Sequence, residues 1–135
     1  MAKKLVEIEG IGATYAAQLE AAGVRSQEDL LKAGSTPKGR DDLVQKTGIS
    51  GKLVLKWVNR ADLARVKGIG EEFSDLLEMA GIDTVPELAQ RSAANLHEQL
   101  KKAAASGNAV RRSPSLSEVE QWVAGAKGLA RVVDY

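Results

Sequence analysis

Cysteine is absent from the 135 residues and histidine occurs once. Without thiols there is no disulfide framework, no thiolate nucleophile and no cysteine-based zinc or iron-sulfur site. His97 lies between Leu96 and Leu100 with no Ser or Cys pattern that would make it a triad base, so it reads as a half-exposed helix residue. No apolar run approaches the length a membrane helix needs, and Met1-Ala2-Lys3-Lys4-Leu5 starts basic without the apolar stretch of a signal peptide. The expectation is a cytoplasmic protein that does not engage membranes. Aromatic residues are few, and Tyr15, Trp57, Phe73 and Trp122 stand at helical spacing among aliphatics, which favours core packing over base stacking. The carboxylate pairs Asp41-Asp42 and Glu71-Glu72 are adjacent in sequence, which on a helix points them apart and makes them poor metal or acid-base sites. No metal, no cofactor and no enzymatic activity are expected.

The net charge is only +1, which argues against an indiscriminate polyanion binder. Its distribution is uneven. Residues 32–60 hold seven cations (Lys32, Lys38, Arg40, Lys46, Lys52, Lys56 and Arg60) against Asp41 and Asp42, a local charge of +5. Residues 67–99 hold Lys67 and Arg91 against seven carboxylates, a local charge of −5. Regions of opposite sign are able to pair between copies, so self-association is one expectation; a drift of solvated helix faces explains the same numbers.

What the chain does have is a duplication. Gly10-Ile11-Gly12, with Ile8-Glu9 before it and Tyr15 and Leu19 after it, returns as Gly68-Ile69-Gly70 with Val66-Lys67, Phe73 and Leu77, an offset of 58 residues. At the same offset Gly23-Val24-Arg25-Ser26 falls on Gly81-Ile82-Asp83-Thr84, and Leu30 on Leu88. Trp57-Val58 with Ala61 and Leu63-Ala64-Arg65 recurs as Trp122-Val123 with Ala126 and Leu129-Ala130-Arg131. The period exceeds that of common solenoid repeats, and two copies suit one closed, pseudo-symmetric domain, repeat one over about residues 1–65 and repeat two over about 66–135.

Helical punctuation is dense. Ser26 opens a Ser-x-x-Asp capping box, Thr36 precedes Pro37, Thr84 precedes Val85-Pro86, and Thr47-Gly48 and Ala80-Gly81 read as helix stops. Apolar spacing predicts helices near 3–8, 13–22, 27–33, 37–47, 51–58, 60–65, 71–80, 85–91, 93–104, 116–126 and 128–132, hence an all-α fold. Residues 105–115, with Arg111-Arg112, have loop composition.

A Gly-x-Gly that opens a helix offers unpaired amides and the positive end of a helix dipole to an anion. The alternative is a tight turn whose Ile11 and Ile69 plug a shared core. A dinucleotide fingerprint is excluded, because its third glycine is replaced by Tyr15 and Phe73 and no second parallel strand follows.

The pattern apolar-x-Gly-apolar-Gly with Leu19 or Leu77 beyond it resembles the helix-hairpin-helix motif, and its doubling resembles the paired motifs of DNA repair and recombination proteins. Ile8-Glu-Gly-Ile-Gly, Gly39-Arg40, Trp57-Val58-Asn59-Arg60-Ala61-Asp62-Leu63, Val66-Lys-Gly-Ile-Gly-Glu-Glu and Gly81-Ile-Asp-Thr-Val-Pro-Glu-Leu are similar to a bacterial family of unknown function built on such pairs (DUF4332-like). The resemblance implies two pseudo-symmetric repeats in one compact helical domain and backbone-amide contact with DNA phosphates, without base reading. By position the contacts fall on Gly10, Ile11, Gly12, Ala13 and Thr14 in the first turn and on Lys67, Gly68, Ile69 and Gly70 in the second. Lys38, Arg40, Lys52, Lys56 and Arg60 would supply a basic surface. Glu71-Glu72 depart from the DNA-binding pattern, since they would meet the phosphate and repel it, though acids there favour their own helix start. A glycosylase is unlike this chain, for Asp83 follows Gly70 too closely and no nucleophilic lysine is in place. Two functions therefore stand side by side: weak, sequence-independent binding of duplex DNA, and interaction with an unidentified protein.

Overall fold

Eight α-helices and a short 3-10 turn form the described part of the computed structural model, which comprises residues 3–8, 10–106 and 113–135, with the side chains of Glu71, Glu72 and Ser106 left aside. No strand occurs among these residues, as the helical spacing predicts. The 3-10 turn Leu5–Glu7 leads to α1 (Ala13–Ala21), α2 (Gln27–Ala33), α3 (Pro37–Thr47) and α4 (Gly51–Leu63); then follow α5 (Glu71–Met79), α6 (Val85–Ala89), α7 (Ala93–Ser106) and α8 (Leu116–Gly128).

Hydroxyl caps set several of these starts. Ser26 Oγ accepts from the Asp29 amide at 3.1 Å, Thr36 Oγ1 from Gly39 at 3.0 Å, and Thr84 Oγ1 from Glu87 at 3.2 Å. Ser115 and Glu118 form a full capping box before α8. The Ser26 box is modified: the Asp29 carboxylate accepts from the Arg25 amide, one residue earlier than expected, and Glu87 does the same with Asp83.

Four predicted helices differ. The helices expected at 51–58 and 60–65 are one, α4, because Asn59 is no breaker and its side chain is buried. Residues 3–8 make a single 3-10 turn; the carbonyls of Lys3 and Lys4 accept from the backbone amide and the side-chain amide of Gln27, which holds that backbone extended. The helix expected at 128–132 does not form. Leu129 is extended (φ −85°, ψ 135°), and further along the chain Asp134 finds backbone partners outside any helix. Of the expected loop, Ala105 and Ser106 complete α7, and Arg111-Arg112 lie outside the described residues.

The chain divides into two compact units, Met1–Asp62 with Val132–Tyr135, and Leu63–Arg131. In the first, α1 and α2 pack on α3 around Leu19, Leu30, Val54 and Trp57. In the second, α8 packs on α6 and α7, and α5 on α7, around Leu76, Leu77, Leu88, Leu96 and Trp122. Ile11 belongs to the first core and Ile69 to the second, so the two isoleucines plug separate cores rather than a shared one. Burying a tryptophan removes about 150–250 Å² from water, which at roughly 25 cal/mol per Å² is worth at most about 4–6 kcal/mol. Trp57 is 0% exposed and Trp122 2%.

The same hydrogen bonds occur within each unit, displaced by the sequence offset. Ile11 N donates to Ile8 O and Ala16 N to Gly12 O; Ile69 N donates to Val66 O and Ser74 N to Gly70 O. Val24 N donates to Leu19 O at 2.9 Å, and Ile82 N to Leu77 O at 2.9 Å.

Candidate nucleic-acid interface

Gly10 and Gly68 are the hinges of the two glycine turns, at φ +94° and +93°. Only glycine takes that conformation without a Cβ penalty. A second constraint acts from below, because a Cβ on Gly10 would lie 3.3 Å from Trp57 Nε1 and one on Gly68 would lie 3.0 Å from Trp122 Nε1. Over each indole lies the aromatic that follows the turn: Tyr15 at 5.1 Å between centroids, tilted 59°, and Phe73 at 4.9 Å, tilted 53°. Tyr15 keeps 36% of its surface exposed, so it is a lid on the core rather than a core residue.

Each turn delivers the chain to a helix start of unusual character. The N-cap residues of α1 and α5 are Gly12 and Gly70, and neither offers a side-chain cap, whereas α2, α3, α6 and α8 carry hydroxyl caps. The amides of Gly12, Ala13, Thr14 and Tyr15 have no acceptor within α1, whose first internal bond is Ala16 N to Gly12 O at 2.9 Å. Gly12, Ala13 and Thr14 are exposed, and apart from its chain neighbours no described residue lies within 4 Å of where a Gly12 Cβ would stand. No acidic residue occupies the first turn of α1. An anion placed there gains roughly 0.3–1 kcal/mol from the dipole of an exposed helix.

Ile11 does not face outward. Its side chain is buried in the first core and its amide donates to Ile8 O at 3.1 Å, which leaves it nothing to offer a phosphate. Ile69 is placed alike, its amide on Val66 O at 3.2 Å. Lys67, Gly68 and Gly70 are exposed in the second unit, where α5 opens with Glu71-Glu72.

The basic surface is smaller than its sequence suggests. Arg40 is 8% exposed and donates to the carbonyls of Gly34 and Asp134, each at 2.8 Å; Arg60 is 6% exposed. Both are structural, contrary to their expected surface role. Five exposed lysines, Lys32, Lys38, Lys46, Lys52 and Lys56, remain against exposed Asp41 and Asp42, so the region presents +3 rather than +5. Lys52 and Lys56 stand four residues apart on α4 and share a face; Lys38 is in the first turn of α3, the helix on which α1 packs. These lysines and residues 10–14 belong to the first unit.

No His, Asp and Glu cluster able to hold a metal ion occurs among the described residues, and none of their helices is long and apolar enough to cross a membrane. His97 is half-buried on α7.

Sequence reasoning missed the Arg40 and Asn59 sites. A signal was present in the run Asn59-Arg60-Ala61-Asp62, which follows two core residues, Trp57 and Val58, and which is buried throughout.

No curated protein matches the chain. Nor does any solved structure. A family model does, that of the domain of unknown function DUF4332, and it covers residues 9–129. With nearly its whole length matched, the chain belongs to the DUF4332 family.

Proposed function

We propose that this protein is a non-enzymatic module of helix-hairpin-helix type that binds duplex DNA weakly and without reading sequence. The contact we assign is between a phosphate and the amides of Gly12, Ala13 and Thr14, with Gly10 making the turn and Lys38, Lys52 and Lys56 meeting neighbouring phosphates. One observation carries the reading: α1 begins on an exposed glycine that leaves its first amides uncapped, with no acid in its first turn, whereas α2, α3, α6 and α8 of the same chain are capped by hydroxyls. Such an end is ready for an anion. The absence of cysteine suits a reducing compartment, and we place the protein in the bacterial cytoplasm.

A second reading, a protein-interaction module without nucleic-acid binding, is favoured by the second unit, whose turn gives onto Glu71-Glu72. The two readings part in a mobility titration with duplex DNA at several salt concentrations. Phosphate binding gives a log-log slope of about −0.9 for each contact. Undetectable binding at the lowest salt leaves the protein-interaction reading.

A further inference from the structure

Tyr15 carries a group that core packing does not use. It is the third residue of α1 and stands over Trp57 with 5.1 Å between ring centroids, yet 36% of its surface is exposed. Its hydroxyl has no hydrogen-bond partner among the described residues. A tyrosine hydroxyl withdrawn into a core usually finds one. The duplication supplies the comparison. Phe73 occupies the same place 58 residues on, 4.9 Å from Trp122 and tilted 53° against 59°, so a ring without a hydroxyl covers the tryptophan equally well. The hydroxyl is surplus to packing. It stands in the unit whose first turn of α1 has no acid, and its counterpart is missing where α5 opens with Glu71-Glu72.

Trp57 sets where the ring stands. The same indole lies under Gly10, with Nε1 3.3 Å from the place of a Cβ, so the glycine turn and the tyrosine ring rest on one side chain. Helical side chains lean toward the N-terminus of their own helix, which brings the ring toward the amides of Gly12, Ala13 and Thr14. Trp57 belongs to α4, the helix that carries Lys52 and Lys56, so Tyr15 joins the helix that offers amides to the one that offers lysines, all within the first unit. We propose that Tyr15 is a further DNA contact, its hydroxyl donating to a phosphate oxygen beside the phosphate held by the amides of α1. This deepens the DNA reading of the first turn and rests on it. Tyrosine is one of the neutral side chains that donate to the DNA backbone. A neutral donor displaces no counterion, so unlike a lysine it adds affinity without adding to the salt dependence.

Tyr15→Phe in the full chain removes the hydroxyl and keeps the ring, and Phe73 shows that phenylalanine fits such a seat. Affinity for duplex DNA is measured by mobility titration at several salt concentrations, and the unfolding midpoint is measured alongside. The expected result is binding about tenfold weaker at every salt concentration, the lower end for a hydrogen bond to a charged group, with the log-log slope and the midpoint equal to the parent's. Lys52→Gln is the contrast, since losing a cation reduces the slope by about 1. The proposal is overturned if Tyr15→Phe binds as tightly as the parent, if its slope falls as that of Lys52→Gln does, or if the midpoint falls with the affinity, which would make the hydroxyl structural. A parent without detectable binding at the lowest salt overturns the DNA reading and this contact with it, whereas a parent that binds and a Tyr15→Phe variant that matches it remove the contact alone.

Discussion

Trp57 Nε1 stands 3.3 Å from the point a Cβ would occupy on Gly10, and it is a buried donor without a hydrogen-bond partner among the described residues. The first glycine turn is therefore seated on the indole, and its exposed amides are positioned by a residue 47 positions later in the chain. Trp122 and Gly68 repeat the relationship at 3.0 Å. Turn and tryptophan form one device, used twice.

Gly10→Ala and Gly68→Ala should each destabilise the protein by about 1–2 kcal/mol through the left-handed backbone alone. The approach to the indole adds to this, more at Gly68, where the gap is smaller. Denaturant unfolding followed by tryptophan emission checks it, since each unit carries one tryptophan. Equal stability of Gly68→Ala and the parent would contradict the seating of that turn.

Arg40→Lys should cost about 1.5–3 kcal/mol for each of the two charged hydrogen bonds it fails to remake, because an ammonium lacks the fork that spans Gly34 O and Asp134 O. The midpoint of urea unfolding measures it. If Arg40 were instead a phosphate contact on the surface, the substitution would leave stability unchanged and weaken DNA binding.

Much of this was legible in the sequence. The offset from Gly10 to Gly68 is matched by φ values of +94° and +93°, and Ser26, Thr36 and Thr84 marked helix starts that the hydrogen bonds bear out, because caps and turns are decided by a few adjacent residues. Burial of Arg40 and Arg60 was not legible: local spacing does not say that an arginine's partners are the Gly34 carbonyl and that of Asp134, 94 residues away. The helix expected at 128–132 was misread for the same reason, since Leu129 is extended and the chain beyond it places Val133 in the first core, which local spacing does not reveal. Tyr15 was taken for core because spacing locates a helix face without measuring how much of a ring the face covers.

Lys52→Gln and Lys56→Gln should each weaken DNA binding uniformly across sequences and reduce the salt slope by about 1. Stability should hold within about 0.5 kcal/mol, as both are exposed. Mobility titrations at two or more salt concentrations separate this from a mere loss of protein.

Glu71→Lys with Glu72→Lys should strengthen DNA binding, by removing two acids from the start of α5 and supplying two cations. The cost to the helix start is about 0.3–1 kcal/mol for each dipole interaction reversed. Unchanged affinity in the folded variant would confine DNA binding to the first turn.

The most direct test of the account is the effect of Gly12→Asp on duplex-DNA affinity, measured together with stability. Gly12 sits at φ −86°, ψ −174°, a conformation open to any residue, and apart from its chain neighbours no described residue stands within 4 Å of its Cβ position. Aspartate is a better N-cap than glycine, by a few tenths of a kcal/mol. The variant is therefore expected to fold as well as the parent or better, while its carboxylate takes the amides and repels the phosphate. If the first turn binds DNA, affinity at low salt falls at least about tenfold, or roughly 1.4 kcal/mol, with the unfolding midpoint unchanged or raised. A Gly12→Asp protein that is equally stable and binds DNA as tightly as the parent would contradict the assignment of the phosphate to the amides of α1.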